Sequence, residues 1–484
     1  MEDSVMSNYT QITFPDQLFG PTFVPPKIEL KPGEIKLNTG MPEFIQIADA
    51  IETHREFNRN KKDQDVAKPK IIRFPVRVIN QEQPLYCPQC GSFLKKDGTT
   101  CCDVIHIPYG NTRTELSIER QRYECTNPKC RESFSEGIPF KVENHKITKT
   151  LQVYTEDLLC YGLTLKEVAE ITHVSKNIVK DIDKERLLRK YTVNGEGKEL
   201  KPPEEYTRYV GVDEFLLHKG NVYATVFLDI ESGHVLYLAH GKKKSVVYNF
   251  MDWAGDEWMK HVVAIGCDMN SDFEEAFRKR YPAIKTVYDH FHIIKNFNDK
   301  VISEVRKDEY KRLMEEGRAE EAKHLKGAKY ILTSKRETLQ KHDAAIGTVI
   351  NPGSTLFNMP AVVKKNELVS WYDELINENK LLFTADLVKG MLDEAYKLTD
   401  TKQMSKLMGH IIGICYATNN SHFKWFGNLL KNHIKGIITH AELQLSSGKV
   451  EGTNRKIKTI RWQAYGFKDD EYFFLKIIDA TRSA

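Results

Sequence analysis

Two apolar runs in this chain each end on an aspartate, and they constrain the fold more than any other feature. Arg208-Tyr-Val-Gly-Val-Asp213-Glu-Phe215 reads as a buried strand delivering a carboxylate to its own end, since valines, a tyrosine and a glycine lead straight into the acid. Val262-Val-Ala-Ile-Gly266 is a shorter buried strand ending at Cys267-Asp268. An acid at a strand end is a cap, a paired charge or a metal ligand. Between the two, strands are expected over Tyr209–Leu217, Val222–Asp229 and Val235–Ala239. Their turns are Lys219-Gly-Asn221 and Ser232-Gly-His234, which make an antiparallel meander. A helix over Ser245–Met259 leads to the second acid. After it come a helix over Ser271–Lys279, a strand over Lys285–Tyr288 and a helix opened by Asp289-His-Phe-His292.

Three antiparallel strands followed by alternating helices and strands suit a ribonuclease-H-like α/β layer, in which both acidic strand ends can lie side by side. Strand alternation turns Glu214 away from them. The chain has 484 residues, too many for one core, so a multidomain α+β and α/β protein is expected. A hydrophobic fraction of 40% supports globular folding, and a net charge of +4 does not by itself announce a nucleic-acid partner. No apolar run reaches membrane-spanning length and Met1-Glu-Asp3 begins no signal peptide, so a soluble intracellular protein without a membrane partner is expected.

Six of the nine cysteines lie between Cys87 and Cys130. Cys87-Pro-Gln-Cys90 and Cys125-Thr-Asn-Pro-Lys-Cys130 have the spacing of two zinc knuckles, and four thiolates saturate a tetrahedral ion without an open position. The bland alternative is reduced cysteines in a small β domain. Cys101 and Cys102 compete as ligands, with His106 a weaker candidate. Strands are expected over Asp103–Pro108 and Thr114–Glu124. From Ile147 the pattern is helical: Ile147–Cys160, then a short helix from Leu165 to Thr172 behind the capping box Thr164-Leu-Lys-Glu167. His173-Val174 turns the chain, and a helix capped by Ser175 runs from Lys176 to Lys190. This is the layout of a helix-turn-helix, whose second helix would present Lys176, Asn177, Lys180 and Lys184 to DNA, with Arg186 further along. Asp181, Asp183 and Glu185 keep open a plain helical hairpin with a solvated face.

The first 83 residues are weakly periodic, with one short helix expected over Glu43–Arg59. Residues 303–416 are charged and helical, with a break at Asn351-Pro-Gly-Ser354. Near the C-terminus, Glu451, Asn454, Arg455 and Lys458 share one face of a helix, followed by Arg461 and Trp462. A carboxylate beside polar and cationic groups suits a metal and phosphate site; the alternative is an exposed salt-bridge ladder.

Val-Gly-Val-Asp213-Glu, Asp268-Met, Asp289-His-Phe-His292-Ile-Ile-Lys and Gly448-Lys-Val-Glu451-Gly-Thr-Asn-Arg-Lys-Ile-Lys, behind the cysteine pairs and the helical hairpin, resemble the ISL-three family of bacterial insertion-sequence transposases. The resemblance runs from Leu85 to the C-terminus and implies that Asp213, Asp268 and Glu451 form a catalytic acidic (DDE) triad. The triad would bind Mg²⁺ or Mn²⁺ for two-metal phosphoryl transfer. Asp289 and His292 would be structural groups near the site, zinc would sit on Cys87, Cys90, Cys125 and Cys130, and Arg455, Lys458 and Arg461 would grip phosphates. It further implies terminal-inverted-repeat and target DNA as partners, a homodimer or larger assembly on paired ends, and a place at the nucleoid in the bacterial cytoplasm. Ser447 stands where the family commonly has Asn. The expected order is an N-terminal extension (1–83), a zinc-binding domain (84–144), a helix-turn-helix (145–195), a first core segment (205–302), a helical insertion (303–416) and a second core segment (417–484). A DNA-binding regulator derived from a transposase, and a structure-selective nuclease or resolvase of the same fold, are the competing functions.

Overall fold

The computed structural model describes residues 84–482 apart from 196, 198, 270, 345–347, 352–361, 365–366, 446–447 and 465. It also describes the strands β1 (Ile45–Ile47), β2 (Glu52–His54), β3 (Phe57–Arg59), β4 (Asp65–Ala67) and β5 (Ile71–Val78). The chain divides into two compact units, residues 1–201 with 463–476 and residues 202–462 with 477–482.

The first unit is built on a long hairpin, β6 (Leu94–Tyr109) and β7 (Thr112–Cys125), with β8 (Ser133–Ser135) on the far side of β7 near its end. β5, which lies inside the expected N-terminal extension, pairs in parallel with β7 from Ile71–Arg113 to Arg77–Glu119. Its alternation is strict: Ile72, Phe74 and Val76 are buried against Val104, Leu116 and Ile118, while Arg77 pairs outward with Glu119 at 2.5 Å. The helix expected over Glu43–Arg59 is not formed; β1 and β2 pair with β5, and β3 with β4. The rest of the N-terminal stretch lies outside the described residues.

Helices α1 (Lys149–Cys160), α2 (Leu165–Thr172) and α3 (Lys176–Tyr191) close this unit around Leu151, Leu159, Val168, Val174, Val179 and Ile182. Thr164 and Glu167 make the expected reciprocal capping box, His173 takes the left-handed turn at φ 56°, and Ser175 caps α3.

The second unit is centred on a five-stranded sheet of β9 (Tyr209–His218), β10 (Val222–Asp229), β11 (Val235–His240), β12 (Ala264–Cys267) and β13 (Lys285–Tyr288), in the order β11-β10-β9-β12-β13. The first three are antiparallel, while β12 runs parallel to both β9 and β13. Edge strand β11 does not leave Val235 open: its N–H donates to Thr481 Oγ1 at 3.1 Å and its carbonyl accepts from Arg482. The one helix expected before β12 is two, α4 (Lys244–Ala254) and α5 (Asp256–Met259), because Gly255 breaks it at φ 82°. Phe250 of α4 stacks on Phe227 with ring centroids 4.2 Å apart, sealing one face of the sheet.

Beyond β12 come α6 (Ser271–Arg280) and α7 (His290–Phe297). α7 passes through a π turn (Asn298–Ile302) into α8 (Ser303–Glu315), a helical run across position 303. α9 (Ala319–Leu325), α10 (Lys329–Thr333) and α11 (Arg336–Ala344) precede the strand pair β14 (Thr348–Asn351) and β15 (Val362–Lys364). α12 (Leu368–Glu378), α13 (Lys380–Ala395), α14 (Thr401–Ala417), α15 (Ser421–Asn432) and α16 (Ile434–Leu443) follow. Asn379, Asp400 and Asn420 cap their helices through side-chain oxygens. One continuous apolar cluster joins these helices to the sheet, from Val210 and Val212 through Phe297 to Phe426 and Ala441. The chain ends with α17 (Gly448–Gln463) and α18 (Asp470–Arg482). No helix among the described residues is long and apolar enough to cross a membrane.

Candidate active site

Asp268 follows the last residue of β12, but Asp213 does not end its strand as expected: β10 keeps pairing past it, so β9 runs on to His218. The two acids nevertheless line one cleft. β9 and β12 pair Val210 with Ile265 and Gly211 with Gly266, so Asp213 and Asp268 stand level, each two residues past a paired glycine. β12 and β13 pair Cys267 with Tyr288, which sets Asp289 one residue further in the same row. Asp213, Asp268, Asp289 and His292 line one cleft together with Ile230, Gly266, Leu445 and Val450. The cleft lies at the carboxyl ends of the parallel strands, where α/β sheets leave room for ligands. Glu214, on the opposite parity of β9, is not among its lining residues.

Asp213 is held from two sides. Its Oδ1 accepts from the Glu214 N–H at 2.8 Å, and its Oδ2 accepts from Asn454 Nδ2. Burial pushes its carboxyl above the usual range, with the Asp268 charge acting in the same sense; the Glu214 amide, His292 and Asn454 pull the other way. A carboxylate forced upward by burial and a like charge is one that a cation would restore to its charged form. Asp289 caps α7 by accepting from the Phe291 N–H at 2.9 Å, and its other oxygen lies 3.9 Å from His292 Nε2. The resemblance implied a place near the site for this pair; both line the cleft, Asp289 by strand register and His292 from the first turn of α7.

α17 meets the sheet along one stripe. Thr453 and Ile457 are buried, Asn454 reaches Asp213, and Arg461 Nη1 donates to the Leu216 carbonyl at 2.6 Å. A Cβ on Gly211 would stand 3.0 Å from Val450 Cγ2, and one on Gly233 3.3 Å from Lys449 Cδ, so these two glycines admit the first turn of the helix. Glu451 lies off that stripe. Its side chain is half exposed and pairs with Arg455 at 2.6 Å. Among the described residues, no three carboxylates come within ligand reach of a common point. Lys458 is exposed, and Ser446 and Ser447 lie outside the described residues.

In the first unit the sulfurs of Cys87, Cys90, Cys125 and Cys130 all fall within 4.8 Å of one another. Cys87 and Cys130 are 3.9 Å apart and Cys90 and Cys125 3.4 Å; the edge of a tetrahedron with Zn–S bonds of about 2.3 Å is roughly 3.8 Å. Gly91 and Arg131, each just past a pair, take left-handed φ of 71° and 49° and fold the chain back over its thiols. Hydrogen bonds from Ser92 lower the Cys90 thiol to about 6. Cys101 and Cys102 lie along β6 and are not among the four. His106 is buried, 2.9 Å from Thr148 Oγ1, and burial holds it down to about 4, a core histidine rather than a ligand.

The recognition-helix candidates separate into two classes. Lys176 and Asn177 are exposed at the start of α3. Lys184 instead pairs with Asp469 at 2.7 Å, and Lys180 lies over the Tyr472 ring. Asp183, one of the acids that kept open a plain hairpin with a solvated face, is fully buried and accepts from Arg186, from the Tyr472 hydroxyl at 2.6 Å and from Lys476 at 2.9 Å. Lys180, Asp183 and Lys184 therefore bind the C-terminal segment of their own unit, a partnership without any local sequence signal.

Residues 210–477 match the family model of the ISL3-type DDE transposases, described as "Transposase". The transposase for insertion sequence element IS1001 of Bordetella parapertussis is 25% identical over 394 residues, 81% of this chain and 88% of that one. The transposase for insertion sequence element IS1557 of Mycobacterium tuberculosis, in strains CDC 1551 / Oshkosh and ATCC 25618 / H37Rv, is 21% identical over 287 residues, 54% of this chain and 58% of that one. The family match spans more than half of the sequence and takes in Asp213, Asp268, Asp289 and Glu451 together: the chain belongs to the ISL3 family of transposases.

Proposed function

We propose that this transposase binds the terminal inverted repeats of a bacterial insertion sequence, cleaves DNA at the element ends and transfers the freed 3′-hydroxyls to target DNA. The observation that carries the reading is the level placement of Asp213 and Asp268 on adjoining parallel strands, opening into one cleft. The sheet order, three antiparallel strands beside two parallel ones, supports a ribonuclease-H-like core. Asp213 and Asp268 would hold a divalent cation, Mg²⁺ or Mn²⁺, with Glu451 as the third acid. Carboxylate oxygens suit such hard ions, and Asp213, buried and beside a like charge, is stabilised in its charged form by a cation. A cation bound there supplies Lewis-acid stabilisation of the oxygens that attack and leave phosphorus.

The chain's own residues do the positioning. The Glu214 amide and Asn454 fix the Asp213 carboxylate, and His292 contributes positive charge beside it when protonated. For Glu451 to join the aspartates it must release Arg455, which then becomes available, with Lys458, to grip a phosphate. Lys176 and Asn177 are the exposed start of a recognition helix, and a zinc ion on the four cysteines would pin the open end of the β6–β7 hairpin. Acting on two element ends calls for a dimer or larger assembly.

The test uses the full chain and a duplex carrying the DNA that immediately flanks its gene, in Mg²⁺ or Mn²⁺. Asp213→Asn and Asp268→Asn should each abolish cleavage and leave binding of the same duplex intact. Normal cleavage by either variant would remove the acid cleft from the mechanism. Equal cleavage of unrelated branched DNA would favour a structure-selective nuclease.

A further inference from the structure

α17 approaches the acids with an amide, not an acid. Asn454 is the side chain on this helix that reaches Asp213, while Glu451 is half exposed and paired with Arg455. The orientation of the amide is fixed by its partner. Asp213 Oδ2 is an acceptor, so the Asn454 nitrogen must face it, and a flipped amide would set oxygen against oxygen. That leaves Asn454 Oδ1 buried with no hydrogen-bond partner. Buried acceptors are nearly always satisfied in folded proteins, and an exception beside a charged cleft needs an explanation.

We infer that Asn454 is a positioning residue of the metal site: its nitrogen fixes the rotation of the Asp213 carboxylate, and its oxygen waits for a donor that arrives with the hydrated cation or the DNA. The inference rests on the acid-cleft reading above. With one donor from its own strand and one from α17, Asp213 cannot turn about its side-chain torsions without breaking a hydrogen bond. Its remaining lone pairs stay available to a cation, since a carboxylate has about four acceptor sites. Groups that orient a ligand in this way, without coordinating, typically change metal affinity by roughly 10–100-fold when removed.

The probe is Mn²⁺ binding to the zinc-loaded full chain, read by electron paramagnetic resonance of the free ion. Asn454→Ala should weaken binding by about 10–100-fold. It should raise the Mn²⁺ concentration needed for end cleavage by the same factor, with the rate recovering at saturating Mn²⁺. If Asn454→Ala does not fold, Asn454→Ser, whose hydroxyl is too short to span to Asp213, is read in the same way. A variant that melts at a lower temperature yet needs no more Mn²⁺ makes Asn454 structural only and overturns the inference. Asp213→Asn separates the two levels. If it loses Mn²⁺ binding while Asn454→Ala binds as the parent does, the inference fails and the site stands. If Asp213→Asn also binds normally, the site itself is misassigned.

Discussion

Adding one methyl group beneath Asp213 should disable the site from outside the cation's reach. In Gly211→Ala the new Cβ stands 3.0 Å from Val450 Cγ2, 3.2 Å from Ile230 Cγ1 and 3.2 Å from Leu228 Cγ. Carbon atoms prefer about 3.5–4.0 Å, so three branched side chains, Leu228 and Ile230 at and just past the end of β10 and Val450 on α17, must each yield by a few tenths of an ångström. Overpacking of this kind costs about 1–3 kcal/mol, offset by about 0.4–1 kcal/mol from the stiffer unfolded chain. The expected net loss is about 1–2 kcal/mol, with about 2–4 °C of melting temperature for each kcal/mol in a unit of this size. Val450 lies four residues from Asn454 on α17, so pushing it outward loosens the grip on Asp213. A misplacement near 1 Å can cost about 100-fold in rate. Gly266→Ala is the internal control: its single contact, 2.9 Å to Ile230 Cδ1, is with the far end of a flexible side chain, and it should cost less. Scanning calorimetry and metal-dependent cleavage of an element-end duplex measure both effects, and Gly211→Ala with Val450→Ala should recover part of each. Wild-type melting and cleavage in Gly211→Ala, or a larger loss in Gly266→Ala, would refute the claim that this glycine admits α17.

Acid should weaken the first unit through His106, which burial holds at about 4 against an ordinary value of 6.5. The folded form therefore binds fewer protons than the unfolded chain. Its contribution is full above pH 6.5 and is lost as pH falls toward 4, by up to roughly 3 kcal/mol. Urea titrations across that range should show the slope, and His106→Gln should flatten it. On α3, Lys176→Ala should weaken element-end binding and reduce the salt slope of affinity by about one. Lys184→Ala should leave the slope unchanged and lower the melting temperature, because Lys184 is committed to Asp469. Equal effects of both lysines on the salt slope would contradict that division.

Much of the architecture was legible because it is written locally. β10 and β13 fall where alternation and turn residues predict them, and the Thr164–Glu167 capping box starts α2 as its spacing requires. The misses have local causes too. Pro75 disguises β5; it is tolerated because it falls in the gap between Ile71–Arg73, which pair with β2, and Val76–Val78, which pair with β1. Gly255 sits inside an otherwise helical pattern, and only its left-handed φ separates α4 from α5. The fate of Asp183 was not legible at all, since its partners Tyr472 and Lys476 come from the far end of the sequence.

The site divides along the same line. Apolar runs leading into Asp213, Asp268 and Asp289 announce acids carried by strands, though not that β9 continues past Asp213 to His218, and their alignment is a matter of register, which two pairings settle: Gly211 with Gly266, and Cys267 with Tyr288. The helical part is harder still. Spacing correctly groups Glu451 with Arg455, yet a helix turns about 100° per residue and spacing cannot say which stripe will meet the sheet. That choice is made by the absence of side chains on the other surface. Gly211 and Gly233 leave room for Val450 and Lys449, and seating those residues turns Thr453, Asn454 and Ile457 inward while Glu451 remains half exposed. For a helix approaching a sheet from so far along the sequence, the informative residues are the glycines it lands on more than the acids it carries.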